Sequence, residues 1–429
     1  MFILLSANCY LRPPHHSGIE VAADRRSHNR IEHTLGSGII SGASDNDPTT
    51  VASLAVIGST TVYALSWLVL LIIPMLAVVQ ALSAQVGAAT KSGLEQTIRR
   101  HYGFGWALVA MLSILIVNVL TLGADLEGGG AALQLLTGVT YRVWIVPMAI
   151  AVISMLIFGS YKRIERVLIF IPLIFLSYIA AAIAVHPDWW QVAVYTFLPH
   201  LEATPAYITG AIALLGTTLT SYVYVWESIE VAHDAPIRRI GLVQAQGTIG
   251  AAVAGVTFFF IVVATGATLG THHHLVETAQ DAAQALTPIA GRWSALLFGV
   301  GLLGSALLAI PVLTATSAYV ISAMFRWGGD LDSKYWRERP FYIAMGASML
   351  AGLAISFAGV APVKLLFMSS IVGGLTTPIT LFLMMVVAQN GKIMKRDRCR
   401  GWLLTSGWCV TGIVTVAAAA FLYQTLFIR

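Results

Sequence analysis

The chain has 429 residues, of which 57% are hydrophobic, whereas 25 Lys and Arg with 20 Asp and Glu make only 10% charged. Soluble domains carry about 25% charged residues, so the composition excludes a soluble enzyme, a disulfide-rich secreted domain and a disordered chain. Three cysteines form neither a disulfide framework nor a zinc-ligand spacing. The composition therefore predicts a helical protein that crosses a membrane several times.

Apolar segments that are long enough to cross the membrane recur along the chain. A helix needs about 20 apolar residues to cross the hydrocarbon layer. Such segments lie approximately at 35–58, 62–89, 104–137, 143–160, 164–185, 207–230, 240–270, 291–324, 340–358, 362–388 and 402–427. The preceding residues 1–34 are polar, with an apolar start too short for a signal peptide, and are predicted to form a cytoplasmic tail.

The distribution of basic residues predicts the orientation. Cytoplasmic loops are enriched in Lys and Arg. With the N-terminus inside, all but four of the 25 basic residues lie on the cytoplasmic side, and the exceptions are Arg142, Arg292, Lys364 and Arg429. The sequence therefore predicts a multi-pass protein of the inner (plasma) membrane, with the N-terminus cytoplasmic and the C-terminus outside. Because the charges are spread over separate loops, no nucleic-acid partner is expected.

The first apolar segment is interrupted by charge and by a proline. Its middle, 44–50, reads Ser-Asp-Asn-Asp-Pro-Thr-Thr, with Asp45 and Asp47 close to Pro48. Proline removes a backbone N–H and disfavours the helical conformation of the residue before it. Irregular backbone within a membrane is tolerated where it lines a cavity or is buried in protein. Free carbonyls, a carboxylate and threonine hydroxyls here predict an oxygen-rich cation site; a kinked helix with a buried neutral Asp is the alternative.

The sixth segment carries a second interruption. Hydroxyl side chains crowd 217–221, which reads Thr-Thr-Leu-Thr-Ser. Such side chains bond to nearby carbonyls and compete with the helical ladder, although they also pack well between membrane helices. Segments 1 and 6 hold corresponding places in two five-helix halves. Paired interruptions of this kind indicate a transporter with inverted repeats and a binding site at mid-membrane.

The residues at these interruptions also resemble a known family. The stretch with Gly36-Ser-Gly and Asp47-Pro-Thr-Thr50, segment 3 around 131–138, and the block 216–228 are similar to matching parts of the NRAMP divalent-metal transporters. The resemblance implies an all-α, LeuT-like fold of two inverted five-helix repeats plus an eleventh helix, with spans 1 and 6 broken. The expected units are the tail 1–34, repeats at 35–190 and 205–390, and a terminal helix at 401–429.

The resemblance also implies a set of metal ligands. Asp47 supplies the carboxylate, Ser44 and Thr217 supply backbone carbonyls, and Thr50 and Thr220 supply side-chain oxygens. Thr220 replaces a family methionine, whose soft sulfur favours transition metals over Mg²⁺ and Ca²⁺. An oxygen-only site suits a hard ion such as Mg²⁺, while Mn²⁺ stays possible. The ion is substrate, so no cofactor is expected.

Further polar residues are predicted to line the ion pathway. Tyr222 and Glu227 stand where the family has histidines, and tyrosine does not titrate near neutral pH. Asp125 matches one acid of span 3, and Glu127 is an addition. The resemblance therefore implies import by alternating access with weak or absent proton coupling.

The remaining pathway candidates are Asp45, Glu230 and Ser370. Glu230 continues an acidic stripe from Glu227 toward Asp234, for which a solvated helix face is an equal explanation. Ser370 takes the place of a polar family side chain in span 10.

Three other functions and one loop were weighed. Aromatic residues 222, 224 and 226 allow a carrier of an organic cation or amino acid on the same fold. An intramembrane enzyme lacks a nucleophile and base at shared depth, and paired broken helices disfavour a channel. His272, His273 and His274 either collect metal ions at the entrance or form an ordinary polar loop. The lipid bilayer and a divalent metal ion are the expected partners, with no obligate protein partner.

Overall fold

A computed structural model describes residues 46–158, 171–234, 240–329, 331 and 337–427, and this part of the chain is helical without a β-strand. The predicted tail 1–34 and two predicted site residues, Ser44 and Asp45, lie outside the described residues. Seven described helices are long and apolar enough to cross a membrane. They are Ser66–Thr90, Gly103–Thr137, Pro205–Ala232, Gly241–His272, Thr287–Phe325, Pro362–Gln389 and Trp402–Phe427.

The first half of the described chain contains seven α-helices. They are α1 (Pro48–Thr61), α2 (Ser66–Thr90), α3 (Leu94–His101), α4 (Gly103–Thr137), α5 (Tyr141–Ile157), α6 (Ser177–Ala184) and α7 (Trp189–Phe197). A 3₁₀ segment, Ile171–Leu176, leads into α6. Of predicted span 35–58, the described part is a helix that begins at Pro48 and continues to Thr61.

The second half begins with a broken helix. It contains α8 (Pro205–Thr218), α9 (Ser221–Asp234), α10 (Ile240–Thr268), α11 (Ala279–Gln284), α12 (Thr287–Ala290), α13 (Ser294–Phe325), α14 (Arg339–Ser356), α15 (Pro362–Gln389), α16 (Gly391–Met394) and α17 (Trp402–Phe427). The interruption between α8 and α9 falls within predicted span 207–230, at the run of hydroxyl residues.

Long helices pack side by side and enclose the two interrupted segments. α4 packs along α13, and α2 packs along α10. α1, α8 and α15 contact one another around the interruptions. A Cβ atom on Gly216 of α8 would collide with the backbone of Ser370 and Gly374 on α15. The absence of a side chain at Gly216 is therefore what allows these two backbones to touch, as is common between membrane helices.

The short helix α3, which was not predicted, connects α2 to α4 and holds the base of α9. Leu94, Glu95, Thr97 and Ile98 form its buried face. The backbone N–H of Leu94 donates to Ser228 Oγ of α9 at 3.1 Å. A Cβ on Gly87, near the end of α2, would collide with the Ser228 carbonyl. The second half of the broken helix, α9, thus packs against the end of α2 and the start of α3.

Candidate cation-binding site

The start of α1 places a carboxylate at the first interruption. Asp47 is the N-cap residue, and Pro48 occupies the first helical position, where proline's missing N–H costs no hydrogen bond. The Thr50 backbone N–H donates to Asp47 Oδ1 at 2.6 Å. This side-chain cap satisfies a donor that the helix itself leaves free. The sequence Asp-Pro-Thr-Thr thus starts a helix with a carboxylate at its positive end.

The second interruption, at Leu219 and Thr220, is built from neutral oxygens. Thr220 Oγ1 lies 2.7 Å from the Gly216 carbonyl and 2.8 Å from the Thr217 carbonyl, within donating distance of both. Thr218 Oγ1 donates in the same way to the Leu214 carbonyl at 2.7 Å. The Thr220 hydroxyl therefore caps two of the last carbonyls of α8, whereas Thr218 bonds back to a carbonyl within the helix.

The two interruptions meet through side-chain hydrogen bonds. Thr50 Oγ1 and Thr217 Oγ1 are 2.9 Å apart, and the Tyr222 hydroxyl donates to Asp47 Oδ2 at 2.7 Å. Asp47, Thr50, Thr217 and Thr220 are each no more than 4% exposed. Four of the five predicted ligands therefore lie in one buried network of hydrogen-bonded oxygens.

Among the described residues, no three His, Cys, Asp or Glu side chains gather into a metal-binding group. The network instead combines one carboxylate with hydroxyls and carbonyls. Oxygen ligands of this kind suit hard cations, and a single formal negative charge leaves room for retained water on a divalent ion.

A second buried carboxyl approaches the network from α4. Asp125 Oδ1 accepts a hydrogen bond from Thr49 Oγ1 at 2.7 Å, and Asp125 is fully buried. Its Oδ2 has no hydrogen-bond partner among the described residues. Because Thr49 lies between Pro48 and Thr50, this bond attaches Asp125 directly to the first turn of α1.

A serine pair adjoins the network on the α15 side. Ser53 Oγ and Ser370 Oγ are 2.6 Å apart, and both residues are buried. Ser53 lies one helical turn after Thr50 on α1, so the pair continues the line of hydroxyls along that helix. Ser53 was not predicted; its spacing of three residues from Thr50 was the available signal.

The structure places the other predicted pathway residues apart from this network. Glu127 is buried on α4, and neither of its carboxylate oxygens bonds to a residue that the structure describes. On α9, Glu227 is half-buried and Glu230 is exposed. His272, His273 and His274 are exposed in the loop after α10. Within the described part of the chain, none of these residues is hydrogen-bonded to Asp47.

Comparison with known proteins agrees with the resemblance. A model of the family described as natural resistance-associated macrophage protein-like matches residues 38–424. Among relatives, the divalent metal cation transporter MntH of Xylella fastidiosa (strain 9a5c) is 24% identical over 415 residues, which cover 92% of this chain and 86% of that protein.

Solved structures are similar over nearly the whole length. A mutant of the Eremococcus coleocola manganese transporter superposes with a TM-score of 0.71 at 17% identity, covering 99% of this chain and 92% of that one. MhsT, solved in complex with L-phenylalanine, superposes with a TM-score of 0.60 at 16% identity, covering 91% and 98%. At these identities the likeness concerns the fold, and it confirms the predicted LeuT-like class.

Proposed function

The chain belongs to the natural resistance-associated macrophage protein-like (Nramp) family, and we propose that it carries a divalent metal ion across a membrane by alternating access. The family confirms the prediction of a transporter and not an enzyme. The named relatives transport divalent metal cations or manganese. The observation that carries the proposal here is that Asp47, Thr50 and Thr217 join the start of α1 to the interruption between α8 and α9.

The proposed ion is a hard divalent cation, with Mg²⁺ the first candidate and Mn²⁺ the second. The side chains of the network offer only oxygen atoms, and the position of a family methionine is held by Thr220. A threonine hydroxyl has no preference for soft metals, so the usual basis for selecting transition metals over Mg²⁺ is lacking. The Ser44 carbonyl, a predicted ligand, lies outside the described residues and stays part of the proposal.

The hydrogen bonds define how binding would proceed. A cation that reaches Asp47 competes with the Tyr222 hydroxyl for Oδ2 and with the Thr50–Thr217 hydroxyl pair for oxygen lone pairs. Hydroxyl groups rotate and accept as well as donate, so the same atoms that bond one another can turn their lone pairs toward an ion. α1 and α9 are the proposed moving elements, since each begins at the site.

Proton coupling is proposed to be weak. Tyr222 and Glu227 occupy the positions of the family histidines, and a tyrosine with an ordinary pKa of about 10 keeps its proton at neutral pH. The proposed orientation has the N-terminus and the α2–α4 connection inside and the C-terminus outside, with uptake as the direction of transport. The two repeats are proposed at 35–190 and 205–390, followed by the helix at 401–429.

The organic-cation alternative has less support from the packing. The Tyr224 hydroxyl bonds with Thr380 Oγ1 on α15. The Trp226 ring packs edge-on against Tyr319, with centroids 6.2 Å apart. Only Tyr222 of the three aromatic residues bonds to Asp47, so the described residues show no aromatic cage around the carboxylate.

Isothermal titration of the purified chain with Mg²⁺, Mn²⁺ and Ca²⁺, together with uptake in proteoliposomes, tests the proposal. We expect binding and saturable uptake of Mg²⁺ or Mn²⁺, loss of both in Asp47→Ala, and little change in the exposed control Glu277→Gln. Uptake that is unchanged in Asp47→Ala would overturn the site. Uptake of an organic cation in place of any metal ion would overturn the substrate.

A further inference from the structure

Arginines and aromatic rings lie at the neighbouring ends of α3, α4 and α13, and all of them except the half-buried Arg99 are exposed. The set comes from two distant parts of the chain and is here called the basic aromatic corner. Its members are Arg99, Arg100, Phe104, Phe325, Arg326 and Trp327. None of them takes part in the proposed cation site.

Arg99 joins the two parts of the corner. Its Nε–H donates to the carbonyl of Met324, in the last turn of α13, at 3.1 Å. Its guanidinium carbon lies 5.5 Å from the centroid of the Phe104 ring at the start of α4. This arginine therefore lies against a ring at the start of α4 and bonds the last turn of α13, two residues before Arg326.

The turn after α13 completes the corner. The Phe325 and Trp327 rings stack with centroids 5.0 Å apart and planes at 22°. Arg326 lies between them in sequence and adopts a left-handed conformation with φ of 57°, which ends the helix. The Trp327 N–H donates back to the Ser322 carbonyl at 2.9 Å, so the turn has a defined shape.

The side chains of the corner face outward from the protein. Phe104 and Phe325 are each 54% exposed and Trp327 is 42% exposed, and Arg100 and Arg326 are exposed as well. The nearby carboxylate of Glu338 lies beside Gly328. Within the described part of the chain, no ion pair links Arg100 or Arg326 to that or any other carboxylate.

We propose that the basic aromatic corner binds the headgroup of an anionic phospholipid. Aromatic rings at the ends of membrane helices lie at headgroup depth, and basic residues between helices at that depth attract anionic headgroups. Arg100 and Arg326 would hold the phosphodiester, since guanidinium groups bond phosphate oxygens in pairs. The exposed rings would cover the glycerol and the upper acyl chains. Charge and apolar surface together therefore fit a lipid better than a free phosphate.

The basic aromatic corner is also connected to α9, one of the two helices proposed to move during transport. Arg99 attaches α3 to α13, and α3 in turn holds α9 through the Leu94–Ser228 hydrogen bond. A lipid bound across α3 and α13 would therefore steady the anchor of the second half of the broken helix.

Native mass spectrometry of the full chain in detergent, titrated with phosphatidylglycerol or phosphatidylcholine, tests this site. We expect wild-type protein to bind phosphatidylglycerol at least about fivefold more tightly, which is about 1 kcal/mol. Arg100→Gln with Arg326→Gln should abolish that preference. The matched control, Arg292→Gln with Lys364→Gln, removes two exposed charges elsewhere, one of them beside the exposed Trp293 ring, and should keep it.

Two further comparisons keep the result decisive. Phe325→Ala with Trp327→Ala retains both charges and should weaken phosphatidylglycerol binding. Arg100→Lys with Arg326→Lys keeps the charges but loses the paired guanidinium hydrogen bonds, so its affinity should lie between those of wild type and the glutamine pair. Equal binding of both lipids by wild-type protein would overturn the proposal. So would an equal loss in the control pair, or binding of glycerol phosphate as tight as that of the lipid.

Discussion

The start of α1 and the interruption between α8 and α9 contribute different kinds of side chain to the same buried network. At the first, Pro48 starts a helix and Asp47 supplies both its cap and a formal charge. At the second, no proline or charge is present, and the Thr220 hydroxyl caps the last carbonyls of α8. One interruption therefore contributes charge and the other contributes neutral oxygens.

This difference indicates how affinity and selectivity are divided. A carboxylate supplies most of the attraction for a divalent ion in a buried site, because charge interactions strengthen where water is excluded. Neutral ligands contribute less attraction but determine which kind of metal fits, through their softness and number. We therefore expect substitutions at the first interruption to abolish transport and substitutions at the second to alter ion preference.

The largest loss of cation affinity is expected when the charge at the first interruption is removed. Asp47→Asn keeps a capping oxygen and removes the charge, so cation affinity should fall at least about 100-fold, or about 2.7 kcal/mol. Thr217→Val removes a hydroxyl at the second interruption but keeps the carbonyl, and should cost about tenfold or less. Titration calorimetry measures both, and equal losses would contradict the division of roles.

Ion preference should change at Thr220. Thr220→Met introduces a thioether at the second interruption, and we expect the ratio of Cd²⁺ to Mg²⁺ affinity to rise about tenfold or more. Competition uptake in proteoliposomes measures the ratio. Thr220→Val, which removes the hydroxyl without adding sulfur, is the matched control and should not gain Cd²⁺. An unchanged ratio in Thr220→Met would remove the soft-ligand argument.

A smaller effect is expected where the second segment contacts the charge of the first. Tyr222→Phe removes the hydroxyl that competes with a cation for Asp47 Oδ2, so affinity should rise by about fivefold, equivalent to about one hydrogen bond. Tyr224→Phe removes a hydroxyl that bonds Thr380 instead and should leave affinity unchanged. Weaker binding in Tyr222→Phe would mean that this hydroxyl is itself a ligand.

The last prediction concerns the stability of the fold and not transport. Its subject is Glu95 on α3, the short helix that holds α9. Burial raises the pKa of Glu95 on α3 from 4.5 to about 7, and within the described part of the chain its Oε1 has no hydrogen-bond partner. Between these values the folded chain keeps a proton that the unfolded chain releases, so stability falls as pH rises from about 4.5 to 7 and is level above.

Glu95→Gln should therefore be more stable than wild type at pH 8, by up to about 3 kcal/mol, and should match it near pH 4.5. Apparent melting temperatures across this pH range, with the exposed Glu277→Gln as control, measure the difference. If the melting temperature of Glu95→Gln changed with pH as that of wild type does, Glu95 would not be the group that causes the pH dependence.

Much of the architecture was predictable because its signals are local. The apolar segments at 104–137 and 402–427 agree closely with α4 and α17, since hydropathy over about 20 residues depends on composition alone. The helix start at Pro48 follows from the capping residue and the proline beside it. The linker helix α3 was missed although Glu95 in its first turn and Arg99 to His101 in its last are standard helix-end signals.

What the sequence determined by itself is therefore the membrane class, the family, the helix start at Pro48 and the position of the interruption between α8 and α9. Only the tertiary structure decided the pairing of oxygens: Thr49 with Asp125, Tyr222 with Asp47, and Ser53 with Ser370, which are 76, 175 and 317 residues apart. Capping and hydropathy act within a few residues of one helix. A hydroxyl, in contrast, bonds whichever buried acceptor the packing of other helices brings within about 3 Å, and no local pattern specifies that neighbour.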